Sequence, residues 1–319
     1  MTTIELKKTP GAAPEPARSR PSWRAWLVIA AALLLAVFLA GHRLVPNRHG
    51  VGSVLDSIAP LFGLAVPVLA IAALLVRSGK ALLAVLLPAV IWLAMFGGAL
   101  LPPAGGPVEL RVVTQNLYAG NPDPATTVRA LAAGGPDLIA LQEASGGTIE
   151  ELAEELSETY PHHAIKSTVG LLSKHPITKV TGVDTGLDWT RALRAVVKAP
   201  QGDIAVYVVH LGSARINETE TRDHTIDMLA KALRADKAER VLVLGDLNTA
   251  ATDRAIAPLS ELLHDAQADA GWGWGFTWPS TLPVMRPDHV LYRGFTATQA
   301  GTLRTPGTDH RAVTSGFAF

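Results

Sequence analysis

The 319-residue chain has no cysteine, which excludes a disulfide scaffold, a Cys-ligated zinc or iron–sulfur centre, and thiol catalysis. It is also poor in charge. Lys, Arg, Asp and Glu make up 18% of it, below the roughly 25% usual for a soluble domain, while hydrophobic residues reach 48%. That balance excludes a disordered chain and argues against a wholly soluble one. Net charge is absent too, with 28 basic and 28 acidic residues, but the zero hides two unlike halves. Residues 1–107 hold nine Lys/Arg and three Asp/Glu, net +6, whereas residues 108–319 hold 19 and 25, net −6. No internal repeat joins them.

In the first half, the only Lys, Arg, Asp or Glu residues between Ala25 and Leu101 are Arg43, Arg48, Asp56, Arg77 and Lys80. They separate three apolar runs, Ala25–Gly41, Ser57–Val76 and Ala81–Leu101, each close to the ~20 residues a helix needs to cross a bilayer. A core helix of a soluble protein would interrupt such runs with polar residues at helical spacing. Pro60, Pro67 and Pro88 are compatible with membrane helices, where neighbouring groups re-satisfy the freed backbone. The first run also carries small residues, Ala40 and Gly41, of the kind found at signal-peptide cleavage sites, but the two later runs and the long preceding polar segment favour an uncleaved anchor. Positive charge sets the orientation. Lys7, Lys8, Arg18, Arg20 and Arg24 flank the first run, and Arg77 and Lys80 lie in the second loop; Arg43, Arg48 and Arg111 lie on the other side. The expectation is a cytoplasmic, disordered tail over 1–24, three transmembrane helices over 25–101, a linker over 102–107 and an extracytoplasmic domain over 108–319.

The second half is long enough for one domain with a substantial core. Short, β-branched apolar runs predict strands over Glu109–Thr114, Leu138–Leu141, Gly170–Ser173, Leu193–Lys198, Ile204–Val209, Val241–Leu244, His289–Tyr292 and Arg311–Gly316. Helices are predicted over Pro124–Ala133, Thr148–Thr159 and Asn217–Ala235, the last with Ile226, Leu229 and Leu233 at helical spacing. Several adjacent strands lack an intervening helix, which points to packed sheets flanked by helices.

Polar residues gather where those strands end. Asn116, Glu143, His210, Asp246 and Asn248 follow apolar runs, while Asp288 and the pair Asp309-His310 precede them. A single carboxylate or amide in such a place is usually a turn or cap residue. Three Asp, one Glu, two Asn and two His at six strand ends instead make a cluster of oxygen ligands beside imidazoles. Hard oxygen donors without thiols suit Mg²⁺, Mn²⁺ or Ca²⁺ better than Zn²⁺.

The segments Thr114-Gln115-Asn116, Pro136–Glu143, Val209-His210-Leu211, Gly245-Asp246-Leu247-Asn248, Pro287–Leu291 and Thr308-Asp309-His310-Arg311 stand in that order. Together they resemble the motif series of the endonuclease/exonuclease/phosphatase superfamily, which includes DNase I-like nucleases, neutral sphingomyelinases and inositol polyphosphate phosphatases. The resemblance spans nearly all of 108–319. It implies an α+β fold, the four-layer α/β/β/α sandwich of the DNase I-like type, here preceded by three transmembrane helices. It further implies metal-dependent cleavage of phosphate esters, with Mg²⁺ the expected ion. Carried over, Glu143 becomes the principal metal ligand with Asn116 and Asp309 beside it. Asp246 and Asn248 position the attacking water and a phosphate oxygen. His310, oriented by Asp288, contacts the phosphate, and His210 stabilises the transition state or protonates the leaving oxygen. The assignment of general acid and base stays open. Thr308 stands where the family often has Ser, and the domain is compact, which leaves the substrate unspecified.

Other features carry less. Arg191 and Arg194 are either exposed strand residues or a contact for a second phosphate. The aromatic loop Gly271–Pro279, with Trp272, Trp274, Phe276 and Trp278, suits either a bilayer interface and a prenyl chain or ordinary packing. His162-His163 reads as an exposed turn and Lys174 as a solvated loop cation. The net −6 and the absence of a basic cluster disfavour nucleic acid as a partner. Tethering by a short linker favours a membrane lipid, present at high effective concentration. Three spans followed by such a domain resemble the actinobacterial VanJ-type membrane proteins linked to teicoplanin resistance. That likeness implies a cell-envelope role, with a lipid-linked phosphate or diphosphate of undecaprenyl type as substrate. An extracytoplasmic nuclease or sphingomyelinase-like phosphodiesterase and a non-catalytic receptor for an envelope lipid or antibiotic are the alternatives.

Overall fold

The computed structural model describes residues 22–215 and 217–319; the expected tail over 1–24 lies outside them except for its last three residues. Helix α1 (Trp23–Gly41) is capped by the Ser22 hydroxyl. A short kinked stretch leads to α2 (Val51–Ile58), and a 3₁₀ turn joins this to α3 (Ala65–Leu75). Ser78 caps α4 (Gly79–Phe96). Three stretches, Trp23–Leu44, Arg48–Leu75 and Gly79–Leu100, are helical, long and apolar enough to cross a membrane. Their contacts use small residues: Ala32, Ala73 and Ala81 are buried with Val28 and Val85, while Leu34, Val37, Leu75 and Leu83 face outward, each more than two-thirds exposed. Small residues inside and large apolar residues outside is the pattern of helices packed in lipid. Val28 and Ala32 of α1 pack with Ala73 of α3 and Ala81 of α4, so the 76–80 loop lies away from the end of the bundle, at Asp56 and Ala99, that meets residues 108–319.

Exposed residues 102–107 lead into two six-stranded mixed sheets. The first runs β11-β12-β1-β2-β4-β3, formed by β1 (Leu110–Asn116), β2 (Leu138–Gln142), β3 (His162–Lys166), β4 (Val169–Ser173), β11 (Thr296–Leu303) and β12 (Ala312–Ala318). The second runs β5-β6-β7-β8-β10-β9, formed by β5 (Ile177–Gly182), β6 (Ala192–Ala199), β7 (Gly202–His210), β8 (Val241–Asp246), β9 (His264–Asp265) and β10 (Asp288–Arg293). Alternate residues of the central strands face opposite ways. Val112, Leu138, Ala140, Val206, Val208, Leu242 and Leu244 fill the space between the sheets. Val113, Ile139 and Leu141 face α5 (Pro124–Ala132) and α6 (Gly146–Glu155); Ala205, Tyr207, Val209, Val241 and Val243 face α7 (Glu220–Ala235). Burial on both faces explains why these strands read as continuous apolar runs. The four-layer α/β/β/α sandwich preceded by three apolar helical stretches is thus the fold.

Three readings change. His162 and His163 belong to edge strand β3, where His163 pairs with Leu172, not to a turn. Lys174 is not free: its ammonium donates to the Gly135 carbonyl at 2.7 Å and lies 3.4 Å from Asp137. Arg194 forks onto Asp236 at the end of α7, at 2.7 and 3.1 Å, and is unavailable to a phosphate.

The helical bundle and the sandwich are joined through buried polar contacts. Asp56 of α2, fully buried, receives the Arg254 guanidinium at 2.6 and 3.0 Å and the Arg254 backbone N–H at 3.1 Å. Beside it, Arg222 of α7 donates to Asp253 at 2.9 Å and to the Ser53 hydroxyl at 2.8 Å, all three buried. At the surface, Arg43 reaches the Thr252 carbonyl at 3.1 Å, and the Gly273 N–H donates to the Ala99 carbonyl at 2.7 Å. Removing one partner of a buried pair strands the other charge. Arg254→Ala should therefore destabilise the detergent-solubilised protein by about 3 kcal/mol, read from thermal unfolding, and the added change Asp56→Ala should recover part of that loss. A loss of about 0.5 kcal/mol or less would mark a surface pair instead.

Candidate active site

The central strands deliver the polar cluster to one rim. β1 and β2 run parallel with Asn116 opposite Gln142, so Glu143 lies just beyond. β7 and β8 run parallel with His210 opposite Asp246, and antiparallel β10 sets Asp288 on the other flank of Asp246. Gly245 has φ +150°, and a Cβ there would sit 1.9 Å from the Val209 carbonyl oxygen, so only glycine lets β8 deliver Asp246. Glu143 (φ 59°) and Asn248 (φ 49°) hold the left-handed conformation, uncommon for residues other than glycine and concentrated at functional sites.

The Asn116 side-chain amide donates to Glu143 Oε1 and to Asp246 Oδ2, each at 2.9 Å, tying the two sheets together. Asp246, buried, also accepts the Asn248 N–H at 2.8 Å, and the Asn248 amide donates to the Leu211 carbonyl at 3.0 Å. Glu143 is partly open to the cleft and accepts the Ala119 N–H at 3.0 Å. His210 Nε2 stands 3.4 Å from Glu143 and 3.9 Å from Asp246. His310 Nδ1 donates to Asp288 Oδ2 at 2.8 Å, an oxygen that also accepts the Thr277 hydroxyl. This fixes the ring and leaves Nε2 for a substrate. Thr308 donates to the Asn116 carbonyl at 2.8 Å and accepts the His310 N–H at 3.2 Å, so it braces the loop between them.

Two groupings of side chains are close enough to share a metal ion: Glu143 with His210 and Asp246, and Asp246 with Asp288 and His310. Asp309 belongs to neither; its Oδ2 accepts the indole N–H of Trp278 at 3.3 Å. The donor set fits a hard divalent cation, since the carboxylate oxygens of Glu143 keep lone pairs beyond the two N–H groups they accept and no thiolate competes. Arg191 is the site residue that sequence reasoning left undecided. Its guanidinium lies against both ring nitrogens of His210, and its Nε is buried without a partner. Its place at the start of β6, opposite the end of β7, was the available signal.

The two histidines are shifted in opposite directions. Burial pushes His210 below the ordinary histidine value, and Arg191 adds to this against the pull of Asp246 and Glu143. Burial also opposes charge on His310, but the Asp288 carboxylate overrides it, with Asp246 and Asp309 assisting, and the ring rises to about 10. Burial raises Asp246, reinforced by neighbouring Asp288. Burial would raise Glu143 as well, but the Asn116 hydrogen bond, the histidine charges and the Ala119 N–H together hold it below the ordinary glutamate range.

The sequence profile described as the Endonuclease/Exonuclease/phosphatase family matches residues 113–310. No curated protein matches the chain in sequence. Solved structures share the fold. TDP2 of D. rerio in complex with a single-strand DNA product superposes with a TM-score of 0.56 at 16% identity, over 66% of this chain and 99% of that one. The mannosyl-6-phosphatase of Bacteroides thetaiotaomicron gives 0.55 at 15% identity, over 66% and 100%. An endonuclease/exonuclease/phosphatase family protein of Leptotrichia buccalis gives 0.54 at 16% identity, over 66% and 100%.

The raised His310 value makes a signed prediction. The Asp288–His310 pair contributes stability that is fully present below the free-ring value of 6.5 and is lost as pH rises through about 10. In Asp288→Asn the imidazole, followed by NMR of histidine-labelled protein, should titrate several units lower. A ring still titrating near 10 in that variant would show that Asp288 is not what holds the charge.

Proposed function

The chain belongs to the endonuclease/exonuclease/phosphatase family, and from that premise we propose a membrane-anchored, metal-dependent phosphohydrolase acting on a lipid-linked phosphate or diphosphate. The observation that carries this reading is the seating of the catalytic half on the apolar helices through Asp56–Arg254 and Ser53–Arg222–Asp253. A domain serving soluble substrates gains nothing from a rigid seat on a membrane bundle; one serving a bilayer lipid gains a fixed approach. The seat engages the end of the first span, the start of the second and the end of the third, all on the side opposite the 76–80 loop. Combined with the excess of Lys and Arg on that loop and the N-terminal flank, this supports an extracytoplasmic site. A cell-envelope role of the VanJ type belongs to the same proposal.

Each residue then has a task. A divalent ion, Mg²⁺ by donor chemistry, held by Glu143 beside Asn116 with Asp309 nearby, supplies Lewis-acid polarisation of a phosphoryl oxygen when bound. Asp246, raised by burial and close to neutral His210, is suited to take a proton from the attacking water, which Asn248 helps orient. His310, held charged by Asp288, neutralises charge developing on the phosphoryl oxygens. Arg191 offers a second cation at the same rim, placed for the other phosphate of a diphosphate.

Phosphate release from undecaprenyl diphosphate by the detergent-solubilised chain should require Mg²⁺, stop in EDTA, and fall about 10³-fold in Glu143→Ala and about 10²-fold or more in His310→Ala. Arg191→Ala should cost about tenfold more with the diphosphate than with the corresponding monophosphate. Plasmid DNA and sphingomyelin run beside them. Cleavage of either one alone would replace the substrate with that of a nuclease or a sphingomyelinase-like phosphodiesterase. No turnover by folded protein would leave a receptor.

A further inference from the structure

Helix α2 is amphipathic in an unusual sense. Its polar and small residues, Gly52, Ser53, Asp56 and Ser57, are the buried ones, turned into the arginine network, while Val51 and Val54 are about half exposed, at 49% and 50%. Of the two, Val54 is left open in the wall of a cavity beside the polar rim, which calls for an occupant.

A cavity of about 290 Å³ lies between α2 and that rim. Asn248 and His310 stand in its wall with Val54 and Ile58 of α2, and Met285 and Trp278 form further apolar lining. Trp278 is the residue whose indole N–H reaches Asp309, the neighbour of His310 in the chain, so one side chain borders both that end of the rim and the apolar space. A second cavity of about 270 Å³ shares Ser57 and Ala250 with the first and is lined by Phe96, Trp274 and Phe276 near the end of the third span. Trp274 packs edge-on against Trp92 of α4, with ring centroids 5.7 Å apart. The apolar surface therefore begins at the phosphate-binding histidine and ends against the membrane helices. Phosphate chemistry alone requires no apolar wall at that rim.

We propose that α2 is part of the substrate site, and that the groove between α2 and the rim holds the hydrocarbon nearest the phosphate of a lipid substrate. This rests on the lipid-phosphohydrolase reading and extends it, because the second span becomes a specificity element and not only an anchor. The occupant is the hydrocarbon of a membrane lipid phosphate, since the groove joins a cationic, oxygen-rich end to an apolar end that faces the spans. Each methylene removed from water there strengthens binding about fourfold.

The test uses the full chain in detergent with two substrates, a long-chain prenyl diphosphate and water-soluble p-nitrophenyl phosphate. In Val54→Trp, which fills the groove from a half-exposed position, the ratio of kcat/KM for prenyl diphosphate over p-nitrophenyl phosphate should fall at least tenfold, mainly through KM. Val54→Leu should keep the ratio. In parallel, a diazirine-bearing prenyl diphosphate photolysed in EDTA should label residues 51–58 of the wild-type chain. If the wild type cleaves the prenyl substrate but the ratio stays within twofold and the label misses α2, the groove assignment is overturned while the lipid-phosphohydrolase reading stands. If the wild type cleaves only p-nitrophenyl phosphate, both fall.

Discussion

A carboxylate with no exposed surface, at the head of an apolar run that leads into a helix long and apolar enough to cross a membrane, is a costly group unless it is paired. Asp56 is that group, and among residues 22–107 it is the one acidic side chain. Its partner, Arg254, comes from the sandwich, 198 residues later. The pair therefore does more than neutralise a charge: it fixes where the sandwich sits on the bundle. The same segment after β8 carries Asp246 and Asn248 at one end and Asp253 and Arg254 at the other. The polar rim and the seat on the apolar helices are thus separated by only a few residues of one loop, and orienting the seat orients the rim.

Within the rim, similar groups are driven to different states by their neighbours. His210 and His310 both stand beside Asp246, yet burial and Arg191 push the first below the ordinary histidine value while Asp288 raises the second above it. Asp246 and Glu143 both bond to the Asn116 amide and each accepts a backbone N–H, yet deeper burial and the charge of Asp288 raise Asp246, while Glu143, partly open to the cleft and beside the two histidines, stays low. Pairs of titratable groups pushed apart in this way are how one cleft supplies both a base and a fixed positive charge near neutral pH.

Much of this was legible in the sequence because the fold obeys simple periodicities. Central strands buried on both faces read as apolar runs, and polar residues at their ends read as a rim, since parallel pairing places those ends side by side. The edges were harder. β3, with His162 and His163, and β5 are polar and exposed, so nothing in their pattern separates them from loops. The fates of Arg191 and Arg194 were undecidable, because three residues along β6 carry one to the rim and the other to Asp236 under α7. The seat on the bundle was invisible for a different reason. Asp56 and Arg254, or Ser53 and Arg222, are distant in the chain, and no local signal pairs them. Asp309 stands in sequence beside His310 but outside both groupings of side chains, bonded to Trp278, a placement that no motif specifies.

The central proposal is that the polar rim acts on a lipid of the bilayer that holds its own helices. The most direct test is phosphate release by the protein reconstituted in vesicles, with prenyl diphosphate placed either in the same membrane or in separate vesicles that do not fuse with it. The account predicts turnover of the lipid sharing the protein's membrane and little of the lipid in the other. Equal rates from both would contradict it, since a site able to reach a second membrane is not held against its own.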